Sequence, residues 1–429
     1  MGEVAVIGAG VAGIQAALDL AQHGVRVHLI EREPSIGGHM AQLDKTFPTN
    51  DCSMCILSPK MAEVARHKNI VLHTLTEVVR IGGEVGNFTV TIRRSPRNVD
   101  ESLCNGCGDC TRICPVEVYN RFDAGIGVRK AIYKPQPQAI PDIVVKDREH
   151  CIECGLCYDV CGPGAVMKEE KERLEDLRVV SVIIATGYTL FDACRKAQYR
   201  YLLLPDVITS LELERMMNAS GPTGGEIRRL SNGKIPSHVI FVQCVGSRDV
   251  TVERPYCSCV CCMFSIKNAI LLKEKHPEME VTICYMDIRA YGKGYEEFYE
   301  RAKGMGIRFI RGLPGGVDAD DDGMTMQVEN TETGEVYILR PELVVLAVGM
   351  DPSPDIDRIA SELGIALEET GFVRTREESL WAVETIRPGI YVAGTASSPR
   401  DIPDSVTLGS AAAMRAFTDV LRAKAQQNG

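Results

Sequence analysis

The chain has 429 residues, enough for two to three domains. It is 45% hydrophobic and 25% charged, as ordinary globular proteins are, and its formal charge of −10 leaves no basic footprint for nucleic acid. No apolar run approaches the roughly 20 residues that span a bilayer, and the 17 cysteines argue for metal or redox chemistry in a reducing cytoplasm rather than for structural disulfides.

Residues 3–7 read as a short buried strand, which leaves no room for a secretory leader. Gly8-x-Gly10-x-x-Gly13 follows at once, then a helical pattern from Ala12 to Gly24 and a second strand from Val25 to Glu31. This is the dinucleotide fingerprint in its proper strand–turn–helix setting. Gly8 allows the tight turn, Gly10 lets the backbone approach a pyrophosphate at the helix N-terminus, and Gly13 lets helix and strand pack closely. Glu31 lies 18 residues beyond Gly13, where an acid is expected to bind ribose hydroxyls, with Arg32 beside it. The turn Glu33-Pro34-Ser35-Ile36-Gly37-Gly38 resembles that of flavoprotein disulfide reductases. So do the later strands ending in Ala185-Thr186-Gly187 and in Gly394-Thr395, where that superfamily usually has Asp in place of Thr395. The resemblance favours FAD over NAD as the bound dinucleotide.

Two cysteine runs come next: Cys104-x2-Cys107-x2-Cys110-x3-Cys114-Pro115 and Cys151-x2-Cys154-x2-Cys157-x3-Cys161. Their spacing is that of a bacterial ferredoxin with two [4Fe–4S] clusters, in which the fourth cysteine of each run serves the other cluster. By that pattern Cys104, Cys107, Cys110 and Cys161 hold one cluster, and Cys151, Cys154, Cys157 and Cys114 the other. Structural zinc is the alternative, but one zinc needs four ligands and no such run. A Pro-rich linker, Lys134-Pro135-Gln136-Pro137, separates the motifs.

Residues 237–243 and 281–285 read as buried strands of a second Rossmann-like unit. Its loop, Gln243-Cys244-Val245-Gly246-Ser247-Arg248, keeps one glycine where a pyridine-nucleotide site needs several, which reads as loss of NAD(P)H binding. Cys244 and the run Cys257, Cys259, Cys261 and Cys262 supply thiolates enough for a third cluster at a helix start. A zinc site and a reactive dithiol are the alternatives. Cys52 and Cys55 could be a redox pair, part of a cluster completed by another chain, or plain thiols. Cys194 and Cys284 read as core residues.

Together these segments resemble the A-type subunit of heterodisulfide reductase, which carries FAD and iron–sulfur clusters. The likeness extends through Gly37–Pro48, Asp51-Cys52-Ser53-Met54-Cys55, Gln243–Arg248 and Tyr256–Met263. It implies an α/β, thioredoxin-reductase-like two-Rossmann flavoprotein with an inserted α+β two-cluster ferredoxin domain. It implies that Cys244, Cys257, Cys261 and Cys262 bind the third cluster, with Cys259 a bystander, and that Lys267 points at the flavin. A lysine there would favour a reduced, anionic flavin; its plainer reading is a solvated helix lysine. The resemblance also implies that electron pairs are split singly between ferredoxin and a disulfide-reducing partner (flavin-based bifurcation). Expected partners are B- and C-type subunits, ferredoxin, and a hydrogenase, formate dehydrogenase or NADH dehydrogenase module. A flavin subunit of a quinone-linked complex, a stand-alone flavin disulfide reductase and a non-enzymatic scaffold are the competing classes.

The expected organisation is a flavin domain in three pieces, 1–96, 166–200 and 350–429. The ferredoxin insert is expected at 97–165 and the second Rossmann-like unit at 201–349. The last flavin helix is expected over Thr407–Ala423, and Asp318–Gly323 as a solvated acidic turn.

Overall fold

A computed structural model describes residues 2–428. The described residues divide into two units, one of residues 2–41, 54–188 and 352–428, the other of 42–53 and 189–351.

The first unit is built on five parallel strands in the order Ile390–Val392, Ser181–Ile184, Glu3–Ile7, Arg26–Ile30, Ile70–His73. Both faces of this sheet are covered, so its strands read as continuous apolar runs. Val4, Val6, Val27, Leu29 and Ile183 face one core, formed with the helices Val11–Gln22 and Ile402–Asn428. Ala5, Ile7, Ile30, Val182 and Ile184 alternate to the other face. There they meet an antiparallel sheet of Thr76–Glu84, Asn87–Arg94 and Arg173–Val179. The last helix starts five residues before the expected Thr407. Pro403 falls in its first turn, where a missing N–H costs nothing.

Residues 97–165, the segment expected as the insert, lie within the first unit between two of its paired strands. Arg94 and Arg173 are paired neighbours in the antiparallel sheet, so the chain exits and returns at one point without breaking a strand. Inside, the hairpin Glu117–Tyr119/Val128–Lys130, the pair Ile132–Tyr133/Val145–Lys146 and the short helices Asp109–Ile113 and Leu156–Asp159 enclose a small core. That core contains Val99, Cys110, Ile132, Val144 and Ala165.

The second unit repeats the doubly wound plan. Its parallel strands run in the order Val207–Thr209, Leu343–Val348, His238–Val245, Glu280–Tyr285, Arg308–Arg311. The acidic segment Asp318–Asp320 is an exposed strand that pairs with Gly323–Glu329. Residues 42–53, expected within the N-terminal flavin segment, group with this unit because its helices hold them by their backbone. Glu214 accepts from the Asp44 N–H (2.8 Å), Arg215 donates to the Gln42 carbonyl (3.0 Å) and Asn218 to that of Leu43 (3.3 Å).

Candidate functional sites

In the first unit the three glycines form one turn. An added Cβ at Gly8 would stand 2.2 Å from the Ala185 carbonyl oxygen, and one at Gly13 only 1.9 Å from the Gly8 carbonyl oxygen. A Cβ added at Gly38, at φ +57°, would stand 2.9 Å from the Cα of Gly10, whereas nothing lies within 4 Å of a Cβ on Gly10 itself. Gly10 caps the helix Val11–Gln22, which has no side-chain cap and no acid in its first turn. Free N–H groups and a positive helix end therefore front an open space, which suits a pyrophosphate.

Glu31, buried at the strand end, accepts the Ala9 N–H (2.8 Å) on one oxygen and the Glu33 N–H (2.9 Å) on the other. Each oxygen keeps a lone pair for a hydroxyl. Burial pushes its pKa up, against these hydrogen bonds. Arg32 pairs with Asp355 (2.9 Å). The buried Thr186 hydroxyl has no hydrogen-bond partner, and Gly187 and Thr395 come within 4.0 Å of one another if Gly187 is given a Cβ. These residues converge as the sequence reading requires, and an orphaned hydroxyl beside a bare helix end fits a polar ligand.

The insert contains two cavities. One is lined by Cys104, Cys107, Cys110 and Cys161, the other by Cys114, Cys151, Cys154 and Cys157. This is the crossed set expected from the spacing. Each short helix begins after a left-handed glycine, Gly108 (φ +79°) or Gly155 (φ +86°), which turns the third cysteine of its run inward. Burial pushes the Cys110 thiol up to about 11. Thiolates in such a place need positive charge beside them.

In the second unit Cys244 ends the strand His238–Val245 in a left-handed conformation (φ +58°), and Cys261 and Cys262 open the helix Cys261–Lys275. Buried serines suture the two cysteine loops. Ser247 accepts the Ser258 N–H (2.9 Å) and donates to the Tyr256 carbonyl (3.1 Å). Cys261 lies within electrostatic reach of Cys244, Cys257 and Cys262, while Cys259 is engaged chiefly with Cys257. Burial pushes Cys244 up to about 12 and Cys262 upward. Cys257 instead falls to about 6, because Cys259 hydrogen-bonds to it and Arg289 and Arg248 stand near. Those two arginines, tied to Asp287 at 3.3 and 2.7 Å, were not legible as site residues. Gly246 is the glycine of this loop, and an added Cβ would strike the Phe191 ring at 2.1 Å. Its open face is thus filled by the protein.

Tetrahedral zinc at Zn–S of about 2.3 Å brings its sulfurs to roughly 3.8 Å from one another. Among the described residues the metal-ligand atoms that gather within 4.8 Å belong to Asp147, Glu149 and His150, and to no set of three cysteines.

Lys267 is fully buried, not solvated. Its ammonium is ion-paired with the equally buried Glu214 and donates to the Lys45 carbonyl (3.0 Å). Cys284 is core as expected, but Cys194 is exposed, at the surface turn Ala193–Arg195. Cys52 and Cys55 are disulfide-bonded. Among the described residues no helix is long and apolar enough to cross a membrane.

The pyridine nucleotide-disulphide oxidoreductase family matches residues 2–194. The chain is 51% identical over 411 residues, 95% of its length, to the iron-sulfur A-type subunit of the CoB–CoM heterodisulfide reductase of Methanocaldococcus jannaschii. It is 48% identical over 423 residues, 98% of its length, to the A-type subunit of the H2:CoB-CoM heterodisulfide,ferredoxin reductase of Methanothermobacter marburgensis. It spans 63% and 64% of those two proteins. Thioredoxin reductases of T. acidophilum (TM-score 0.53, 15% identity, 98% of this chain and 99% of that one) and Lactococcus lactis (0.52, 18%, 98% and 100%) share the fold. The chain is thus a thioredoxin-reductase-like, two-Rossmann α/β protein.

Proposed function

We propose that this chain is an A-type subunit of the heterodisulfide reductase family, and that it serves as the FAD and iron–sulfur electron-transfer subunit of a heterodisulfide-reductase-like oxidoreductase complex. The observation that carries the reading is the pair of cavities in the insert, each walled by four cysteines drawn from both runs. When bound, flavin exchanges electrons in pairs or singly, and [4Fe–4S] clusters exchange them singly over potentials from about −700 to +450 mV. The chain's own residues divide the work.

Gly8, Gly10, Gly13 and Gly38 admit the FAD pyrophosphate, Glu31 takes a ribose hydroxyl, and Arg32, Ala185, Thr186, Gly187, Gly394 and Thr395 complete the wall. The eight cysteines of the insert hold two clusters. Cys244, Cys257, Cys261 and Cys262 hold a third, whose thiolate charge Arg248 and Arg289 offset. Lys267 is the lysine that this reading assigns to a reduced flavin, its ammonium shared with the buried Glu214 carboxylate. The finer reading is bifurcation between ferredoxin and a disulfide-reducing partner, in a cytoplasmic complex with B- and C-type subunits and a hydrogenase, formate dehydrogenase or NADH dehydrogenase module.

The Cys52 and Cys55 disulfide favours a second reading, a stand-alone flavin disulfide reductase using NAD(P)H. The Phe191 ring against Gly246 opposes it, since the loop offers no approach for a second pyrophosphate. Anaerobic isolation of the native complex separates the two. The first reading expects co-purifying subunits, one FAD and about twelve irons per chain, at four irons per cluster. A lone chain with four irons or fewer and NADPH-dependent disulfide turnover would overturn it.

A further inference from the structure

The insert carries one motif twice, so its copies can be compared position by position. Aligning Cys104 with Cys151 sets Val99 opposite Lys146 and Asp109 opposite Leu156. All four residues line the cavities: Val99 and Asp109 the first, Lys146 and Leu156 the second. The replacements change charge in the same direction.

Lys146 is only 4% exposed. Its ammonium donates to the Tyr158 hydroxyl at 2.6 Å, lies 4.8 Å from that ring's centroid, and interacts electrostatically with Cys151 and Cys157. The acid on this wall, Glu153, is exposed and engaged with Arg148 at 3.6 Å. In the first cavity the Asp109 carboxylate stands 3.4 Å from the Cys107 sulfur. Its partner Arg112 is 71% exposed, where water screens the charge. Backbone donors to sulfur do not separate the two sets. Glu153 N–H reaches Cys151 at 3.4 Å, and Ala165 N–H reaches Cys161 at 3.2 Å.

We infer that Lys146 tunes the two cages apart, so that the cluster held by Cys114, Cys151, Cys154 and Cys157 accepts an electron more readily than the one held by Cys104, Cys107, Cys110 and Cys161. The inference rests on the cluster reading above. One added electron makes a cage more negative by one charge, and the fixed buried cation favours that state at the second cage only. One electron passing from the first cage to the second oxidises the first by one and reduces the second by one, with no proton required. The insert then has a direction, from the first cage to the second.

The test is an EPR-monitored redox titration of the full chain, reconstituted anaerobically. Cys107→Ser and Cys154→Ser each perturb one cage and so assign the two waves. The second cage is expected at the higher potential. Lys146→Met should lower its electron-uptake equilibrium about tenfold, a shift of about 59 mV for one electron, and leave the first wave in place. Lys146→Arg should stay near wild type. Leu156→Asp, at a position 41% exposed, should lower the same wave without disturbing a buried residue. A first cage at the higher potential, or a second wave that neither Lys146→Met nor Leu156→Asp moves, would overturn the inference. A chain that takes up no iron would instead fail the cluster reading, and this one with it.

Discussion

Lys267 and Glu214 are each wholly buried, and an ion pair in such a place is held by geometry more than by net energy. Removing one partner leaves an uncompensated charge. Glu214→Ala is therefore expected to destabilise the chain by about 3–5 kcal/mol in denaturant unfolding, with Lys267→Met/Glu214→Leu recovering much of the loss. A double variant that loses as much as the two single variants added together would show that the pair is not coupled. His73 supplies a second residue-scale expectation. It lies 3.0 Å from His28, which also contacts Glu3 at 2.6 Å. Burial, then His28 and Arg94, push its pKa down to about 4 from 6.5. The unfolded chain thus binds a proton that the folded one refuses between those values, so stability falls as pH drops below 6.5. Wild type should lose about 1 kcal/mol more than His73→Asn between pH 7 and 5.5, and matching pH profiles would refute the assignment. Neither feature was legible in the sequence. Glu214 lies 53 residues from Lys267, and nothing in a helical pattern marks which lysine has a distant acid waiting for it.

At the scale of elements, what could be read was what depends on spacing. The cysteine runs specify both cages because four ligands at fixed offsets admit few geometries, and the fingerprint glycines specify a turn that larger residues would block. The attachment of the insert could not be read, because it depends on single polar contacts across the fold. Arg97, 1% exposed at the insert's root, donates to the Pro34 carbonyl (3.1 Å), Thr74 Oγ1 (2.7 Å) and Glu101 (2.9 Å). The linker that reads as a plain Pro-rich spacer is also anchored. Gln136 donates to Ser35 (3.1 Å) and to the Ile36 carbonyl (3.0 Å), which ties the insert to the turn that precedes Gly38. A charge-assisted hydrogen bond is worth about 1.5–3 kcal/mol. Arg97→Met should accordingly loosen the root: limited proteolysis should cut residues 97–165 faster than in wild type, while the parallel sheet of the first unit stays resistant. An unchanged cleavage rate would show that Gln136 and the sheet pairing suffice.

On the scale of the whole molecule, the proposed cofactor positions are built from separate parts. The eight insert cysteines lie beyond the paired strand ends Arg94 and Arg173, the glycine cradle belongs to the parallel sheet of the first unit, and the Cys244 group sits on the sheet of the second. Each has its own backbone support, so loss at one need not spread. Cys154→Ser should remove about four of the roughly twelve irons expected from three cubane clusters and keep the flavin. Cys257→Ser should do the same at the other unit, whereas Cys259→Ser, at the cysteine engaged chiefly with Cys257, should keep the full iron count. Gly13→Ala should act in reverse. Its Cβ would press on the Gly8 carbonyl oxygen at 1.9 Å, spoiling the turn before the helix, so flavin should be lost while the iron of the insert remains. Iron and flavin analysis of these four variants decides between separate sites and a single cooperative assembly: parallel loss of both cofactors in every variant would rule out the modular arrangement.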